Sequence, residues 1–394
     1  MQNLLPVVPR QNLLVTHGKG AYFFDDKNNK YLDFISGVAS NIFGYSDPEL
    51  EGIACEQIKK INHVSVNFRT KELEDAAEKL INFSGIDGLV YFLNSGTEAV
   101  ETAIKIARRH FYKEGLTHKN EIICFKNSFH GRTLGSLAAQ GNEKYLEGFE
   151  PRIQGFVHAD LNDIESIKSL ISDKTAAIII EPIQGEGGVI RCDQEFVRKI
   201  RQICHDLEII LISDEVQCGL VRSGKKNCFE HFEITPDILI NAKALGGGIA
   251  AIGSCIVSKK FAKHMTVGTH GSTFGGNAFA CGLASYTLDR ISNPEFIENT
   301  RKTGENLGMA LNDIVNHSNG IITELRGLGM LRGIKINESI MTNFEFTELA
   351  KKTANLMLTI SSKHNVIRIL PRLNLTKDEL DDFSFRMKKT LSVI

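Results

Sequence analysis

One lysine in this chain stands where a buried strand runs out. The stretch Ile238-Leu239-Ile240-Asn241-Ala242-Lys243 begins as a short apolar run after Pro236-Asp237 and gives way to Gly246-Gly247-Gly248, where neither strand nor helix is favoured. In open α/β sheets that edge is where ligands bind. A lysine held there in apolar surroundings loses hydration of its charged form, so its pKa falls and its amine becomes a usable nucleophile. An isolated lysine in a turn is ordinarily solvated and inert, so Lys243 gains meaning only from its companions.

Four further stretches offer them. Asn94-Ser95-Gly96-Thr97 opens a helix; free N–H groups and the helix dipole there suit an anion such as phosphate, and glycine permits close approach. Ile210-Leu211-Ile212-Ser213-Asp214-Glu215-Val216-Gln217 closes a strand on an acid, which is costly unless a cation meets it. A structural ion pair is the common answer. The other is a protonated aromatic nitrogen, which an ionised aspartate keeps electron-poor. Asn127-Ser128-Phe129-His130-Gly131-Arg132 places an aromatic and an arginine on a glycine loop, suited to stacking on a flat ring and to clamping a carboxylate. Alone, it would be a packed Phe and a surface Arg. His270-Gly271-Ser272-Thr273-Phe274-Gly275-Gly276 is a hydroxyl-rich loop with glycines for close backbone approach.

The elements that must hold these residues alternate. Short apolar runs at Glu121–Phe125, Ala176–Glu181, Ile209–Asp214, Ile238–Asn241 and Gly253–Ser258 are separated by helical stretches, which predicts a mainly parallel sheet with helices on both faces. The helix after Ser95 buries Val100, Ala103, Ile104, Ala107 and Phe111, and Ser95 with Glu98 fits a capping box. Glu49 to about Ile61 and Lys71–Phe83 are helical, and the start of the chain has a small antiparallel piece around Ala21–Phe24 and Lys30–Phe34. After about residue 283 one long helix, short strands near 321–326 and 330–336, a further helix and a strand at Val366–Leu370 are expected. A last helix, capped by Thr376 and Glu379, buries Leu380, Phe383, Met387 and Leu391.

Composition narrows the functions. The chain has 394 residues and a net charge of −1, enough for a large core and two domains. No basic run points to nucleic acid, and no apolar run reaches membrane-spanning length. The first ten residues lack the layout of a signal peptide. The eight cysteines form no Cys-x-x-Cys pair and are expected as reduced, buried thiols of a cytoplasmic protein.

Competing motifs fail. Gly219–Lys226 misses a phosphate loop at its last position, where Lys226 replaces a Ser/Thr. Gly327–Gly333 misses the dinucleotide fingerprint, and Cys228 and His231 stand without partners, so no metal site is expected. A strand-end lysine, a strand-end aspartate, an anion-binding helix start and an aromatic on a glycine loop are together what a pyridoxal phosphate site requires.

In order, Asn94-Ser95-Gly96-Thr97-Glu98-Ala99, Phe129-His130-Gly131-Arg132-Thr133, the run Glu181–Gly188, the run Asp214–Gly219, the run Ala242–Gly248 and the run His270–Asn277 resemble the class-III aminotransferases. The resemblance is strongest to the branch acting on acetylornithine, with ornithine and 4-aminobutyrate enzymes as cousins, and runs from about Gly18 to the C-terminus. It implies the type I fold of pyridoxal-phosphate-dependent transferases. That fold has a large doubly wound, mainly parallel domain (residues 45–282) and a smaller α+β domain (283–394, joined by 1–44), in a homodimer with shared active sites. It implies transfer of the terminal amine of N2-acetylornithine to 2-oxoglutarate in arginine biosynthesis. Ornithine, 4-aminobutyrate and N-succinylated ornithine or diaminopimelate remain alternative donors, and a catalytically silent binding module of the same fold is the non-enzyme alternative.

The same resemblance gives each residue a role. Lys243 corresponds to the Schiff-base lysine and Asp214 to the aspartate facing the pyridine nitrogen. Glu215 and Val216 complete that strand end, and Gln217 lies near the phenolic oxygen. Phe129 corresponds to the stacking aromatic, and Gly96 and Thr97 to the phosphate cradle. Thr273 reaches the phosphate of the neighbouring subunit. Arg132 would hold the donor's α-carboxylate with Ser272 nearby. Arg368 would hold a carboxylate of 2-oxoglutarate, and Glu186 pairs with Arg368 while the donor is bound. The sequence departs from the family at Gly44-Tyr45-Ser46-Asp47-Pro48, where Gly-His-x-His-Pro is usual, and at Val221, where glycine is common.

Overall fold

The computed structural model describes residues 3–394. Its centre is a seven-stranded sheet. From edge to edge the strands are Gly88–Leu93, Gly253–Ser258, Ile238–Asn241, Ile210–Asp214, Thr175–Ile180, Glu121–Phe125 and Phe156–Ala159. Side chains alternate between two cores, as strands buried on both faces require. Ile123, Phe125, Ile178, Ile180 and Leu211 enter one cluster, whereas Ile122, Cys124, Ile179, Ile210 and Ile212 enter the other. Each such isoleucine removed from water stabilises the fold by roughly 1.5–3 kcal/mol, which fixes the register and therefore where each strand ends.

Six of the strands run the same way; Gly253–Ser258 runs antiparallel to both neighbours. Its position follows the sequence reading but its direction has a local cause. Only residues 242–252 separate it from the preceding strand, and a parallel return needs a crossover of roughly a dozen residues or more, usually a helix. The short connection carries Lys243 in a tight 3-10 turn, Lys243–Gly246.

Two helix expectations are also corrected. The single long helix after residue 283 is two helices, Ala278–Ser292 and Pro294–Asn316. Pro294 cannot donate to the preceding turn and disfavours helical backbone in the residue before it; Asn293 then caps the second helix through Glu295 N–H at 2.8 Å. Ser95 does cap the Gly96–Lys113 helix, but no complete capping box forms, because the Glu98 carboxylate accepts the N–H of Asn94 at 3.0 Å instead of that of Ser95.

The remainder gathers both chain ends. The strands Val15–Lys19, Tyr22–Asp25 and Lys30–Asp33 form an antiparallel run extended by Leu356–Met357. A separate antiparallel sheet comprises Ile322–Leu328, Leu331–Ile336, Val366–Ile369 and Thr359–Ile360. The Lys377–Leu391 helix has its capping box at Thr376 and Glu379. Among its apolar stripe Phe383 and Met387 are fully buried and Leu391 partly so. All eight cysteines are free; seven are buried and Cys55 is exposed. Among the described residues no helix is long and apolar enough to cross a membrane.

Candidate active site

A cavity of about 530 Å³ opens at the carboxyl ends of the parallel strands. Its wall contains Lys243, Asp214, Gln217, Phe129, Arg132 and Glu186, together with Val216 and the helix start at Gly96 and Thr97. Stretches far apart in sequence converge because each follows a strand that stops at the same edge.

Lys243 adopts a left-handed backbone at φ +40°, a conformation that costs a non-glycine residue about 1–3 kcal/mol and is held by its surroundings. Burial lowers its pKa to about 8, with the Arg368 guanidinium acting in the same direction and Glu186, Asp214 and Glu181 opposing. Below that pH the amine is mostly charged, and above it mostly a free nucleophile.

Asp214 is 3% exposed. One oxygen accepts the Val216 N–H at 3.1 Å and the other meets His130 Nδ1 at 2.7 Å. His130 is itself buried. Burial works against its charged form, but the hydrogen bond and charge of Asp214, helped by Glu181, prevail and raise its pKa. Glu181 accepts the Phe129 N–H at 2.8 Å; burial and, after it, the nearby Asp214 raise its pKa to about 7 although His130 opposes. Asp214 therefore faces the His130 imidazole on one side and the cavity on the other.

At the helix start, the first-turn amides of Gly96 and Thr97 precede any intrahelical partner. A Cβ on Gly96 would lie 3.0 Å from the Val216 methyls. Thr97 Oγ1 bonds the hydroxyls of Thr133 and Ser136 at 2.9 and 3.0 Å. Gly131 has φ +132° and a Cβ there would fall 2.1 Å from Thr97 Oγ1, so only glycine lets the Phe129–Arg132 loop close on the helix. Gln217 is admitted in the same way, since a Cβ on Gly185 would meet its Oε1 at 1.9 Å. That oxygen is buried without a hydrogen-bond partner.

On the outer wall, Arg132 is exposed and, among the described residues, pairs with no carboxylate. Its guanidinium lies 3.9 Å from the Tyr145 ring centre and 5.3 Å from that of Phe129. Arg368, nearly buried on the Val366–Ile369 strand, forms an ion pair with Glu186 at 2.6 Å and donates to the Ile360 carbonyl at 3.0 Å. The loop bearing Glu186 is tethered by Ser362 Oγ, 3.0 Å from the Glu186 carbonyl.

Four residues named from the sequence do not line the cavity, and of these Arg368 is tied to it through its ion pair with Glu186. Glu215 turns away: its buried carboxylate accepts the N–H groups of Cys228 and Phe229, and burial raises its pKa to about 7. Ser272 Oγ engages Asn94 Nδ2 at 3.2 Å and the Gly275 N–H at 3.0 Å. Thr273 is exposed outside the cavity of its own chain. Conversely, His130 and Glu181 are in the wall although sequence reasoning gave them no role; the signal available was a histidine beside Phe129 and an acid ending an all-apolar strand.

The departures from the family pattern serve structure. Tyr45 donates its hydroxyl to the buried Asp33 at 2.8 Å, and Asp47 caps the Pro48–Lys60 helix while pairing with Arg290 at 2.8 Å. Val221 sits at φ +67°, left-handed backbone rarely adopted by a β-branched residue. The adjoining buried Arg222 donates to the carbonyls of Met330 and Pro371.

A flat-ring cavity with a strand-end lysine, a strand-end aspartate and an anion-binding helix start defines a class, and the family comparison agrees: residues 7–391 match the class-III aminotransferase model. The chain belongs to that family. It is 41% identical to the mitochondrial acetylornithine aminotransferase of Debaryomyces hansenii, over 95% of this chain and 81% of that protein. It is 38% identical to acetylornithine aminotransferase 1 of Bradyrhizobium diazoefficiens, over 100% of this chain and 95% of that protein. Among solved structures, the ornithine aminotransferase of Toxoplasma gondii superposes with a TM-score of 0.94 at 28% identity, covering 100% of this chain and 93% of that one. A second structure of that enzyme carries the cofactor PLP at partial occupancy in its active site.

Proposed function

We propose that this aminotransferase moves the terminal amine of N2-acetylornithine to 2-oxoglutarate, giving N-acetylglutamate semialdehyde and glutamate, with pyridoxal phosphate as its resident cofactor. One observation carries the reading: a lysine amine with its pKa lowered to about 8 shares a cavity with a buried, histidine-backed aspartate and an open helix start. The named relatives supply the donor.

The residues fit the cofactor. The unpartnered Gln217 Oε1, the spaces left by Gly96 and Gly131, and the apolar face of Phe129 are a cradle for a phosphorylated, hydroxylated ring. When bound, that group supplies an aldehyde for the amine and a ring that accepts the electrons of a C–H bond. The chain's own part is electrostatic and geometric. Gly96 and Thr97 amides hold the phosphate, Phe129 covers the ring face, and Asp214 keeps the ring nitrogen protonated. Lys243 Nζ, neutral above about pH 8, would take the proton from the donor's amine-bearing carbon and give it to the cofactor carbon that had carried the aldehyde oxygen.

Arg132 binds the donor's α-carboxylate while the acylated nitrogen points outward. Arg368 stays masked by Glu186 until a dicarboxylate displaces it, which lets one cavity take two differently charged substrates in turn. Thr273 serves the other active site of a homodimer, a role supported by its exposure outside the cavity of its own chain.

The experiment is to incubate the holoenzyme with 2-oxoglutarate and each of N-acetylornithine, ornithine, 4-aminobutyrate and N-succinylornithine, and to measure glutamate formed. N-Acetylornithine is expected to give the highest kcat/KM. Faster turnover of any of the other three would move the donor assignment, and no glutamate from any of them would overturn the reading.

A further inference from the structure

At the opposite end of the Gly96–Lys113 helix from the active site, three ligand-type side chains meet. His110 lies in the helix's last turn and Glu114 is its C-cap, four residues on and therefore on the same face. His264 comes from the loop after the Lys259–Ala262 helix. One ligand atom from each lies within 4.8 Å of the other two. We propose that His110, Glu114 and His264 form a binding site for a divalent transition-metal ion of the zinc type, separate from the site of transamination.

Four observations support it. First, the ring of His110 is buried and its Nδ1 has no hydrogen-bond partner, an uncommon state for a buried polar atom. Second, the ring is held in place, edge-on to Phe111 at 5.1 Å and to Phe261 at 4.8 Å between centres. The backbone of His264 is held as well, its carbonyl accepting Arg109 Nε–H at 2.8 Å. Third, the two imidazoles are 5.6 Å apart, centre to centre, and Glu114 Oε1 is 2.5 Å from His264 Nε2, so small side-chain rotations would open a position about 2.0–2.2 Å from each ligand. Fourth, the unpaired carbonyls of a helix C-terminus favour a cation.

Two nitrogens and one carboxylate oxygen form a donor set for zinc with one position left for water. Lys263 competes for it: its ammonium lies 2.6 Å from Glu114 Oε1, on a half-exposed side chain free to swing into solvent. Displacing it makes binding weaker than at closed structural zinc sites.

The test titrates metal-free holoenzyme with zinc chloride by calorimetry, for the wild type and for His264→Gln and Glu114→Gln. The expected result is one site present in the wild type and weakened at least about tenfold in each variant, while glutamate formation from N-acetylornithine is unchanged because neither residue lines the active site. Superimposable isotherms would overturn the proposal. A zinc-soaked crystal gives the direct check, and keeps buried His110 testable without a variant that could unfold. An anomalous peak bonded to His110, Glu114 and His264 is expected, and a peak lacking His110, or none, would refute the assignment.

Discussion

The two walls of the active-site cavity are built on different terms. On the inner wall, Asp214, His130 and Glu181 are all nearly buried, and short hydrogen bonds from the Phe129–His130 loop hold both acids. On the outer wall, Arg132 rests on two aromatic rings with no acid partner, and Arg368 is paired only to a glutamate carried by a loop. Charges fixed in a dry, low-dielectric setting hold a permanent guest at constant electronics, whereas an exposed guanidinium and an exchangeable ion pair accept and release guests that differ in charge. Inner-wall changes should therefore alter the chemical step for every substrate, and outer-wall changes should alter which substrate binds.

The largest break comes at Lys243. On the proposed reading Lys243→Ala removes both the nucleophile and the proton carrier, and kcat should fall by roughly 10⁴-fold for every donor. Glutamate production at near wild-type rates would refute its role. The intact lysine also sets a pH dependence. Its neutral fraction grows about tenfold per pH unit below its pKa and levels off above it. Reconstitution of cofactor-free protein with pyridoxal phosphate should therefore accelerate as pH rises toward about 8 and flatten beyond, the pKa being lowered chiefly by burial. A rate still climbing tenfold per unit well above pH 8 would mean an ordinary, solvated lysine.

His130 tests whether the inner wall acts as a unit. It lines the cavity, but its hydrogen bond goes to Asp214, and through that bond it acts as a positioning residue. His130→Gln removes a charge-assisted hydrogen bond whose loss costs about 1.5–3 kcal/mol, so kcat should drop roughly 10- to 100-fold with both KM values nearly unchanged. A merely structural role would lower stability and leave kcat per active site intact.

Much of the inner wall was legible because buried strands announce their own ends. Ile238–Ile240 and Ile210–Ile212 are uninterrupted apolar runs, and the polar residues that follow each run mark the sheet edge. The partner of Asp214 was not legible: His130 is 84 residues away and reaches it across the end of Thr175–Ile180, the strand that lies between the two strands these residues follow. The reversed strand Gly253–Ser258 was readable in principle from its short connection, whereas the break at Asn293 was signalled by Pro294 yet hidden under continuous helical periodicity. Glu215 shows the limit of reasoning by neighbourhood. Adjacent residues in a strand point to opposite faces, so the residue after Asp214 caps the Cys228–Phe232 turn instead of facing the cavity.

On the outer wall the effects should be smaller and selective. Glu186→Gln removes the charge that masks Arg368 at 2.6 Å. The KM for 2-oxoglutarate should fall by about tenfold, in keeping with an ion pair partly withdrawn from water, while L-glutamate becomes a better donor relative to N-acetylornithine. Equal changes for mono- and dicarboxylate substrates would show that Glu186 does not gate Arg368.

The finest distinction lies at Tyr145, a residue with no motif to mark it. Its ring is the nearer of the two against which Arg132 lies, and an exposed cation–π contact contributes about 0.5–1 kcal/mol. Tyr145→Ala should therefore raise the KM for N-acetylornithine only by roughly two- to fivefold and leave that for 2-oxoglutarate alone. Tyr145→Phe keeps the ring and should restore the wild-type value. If Tyr145→Phe were as impaired as Tyr145→Ala, the hydroxyl and not the ring would position Arg132, and the outer wall would be hydrogen-bonded in the manner of the inner one.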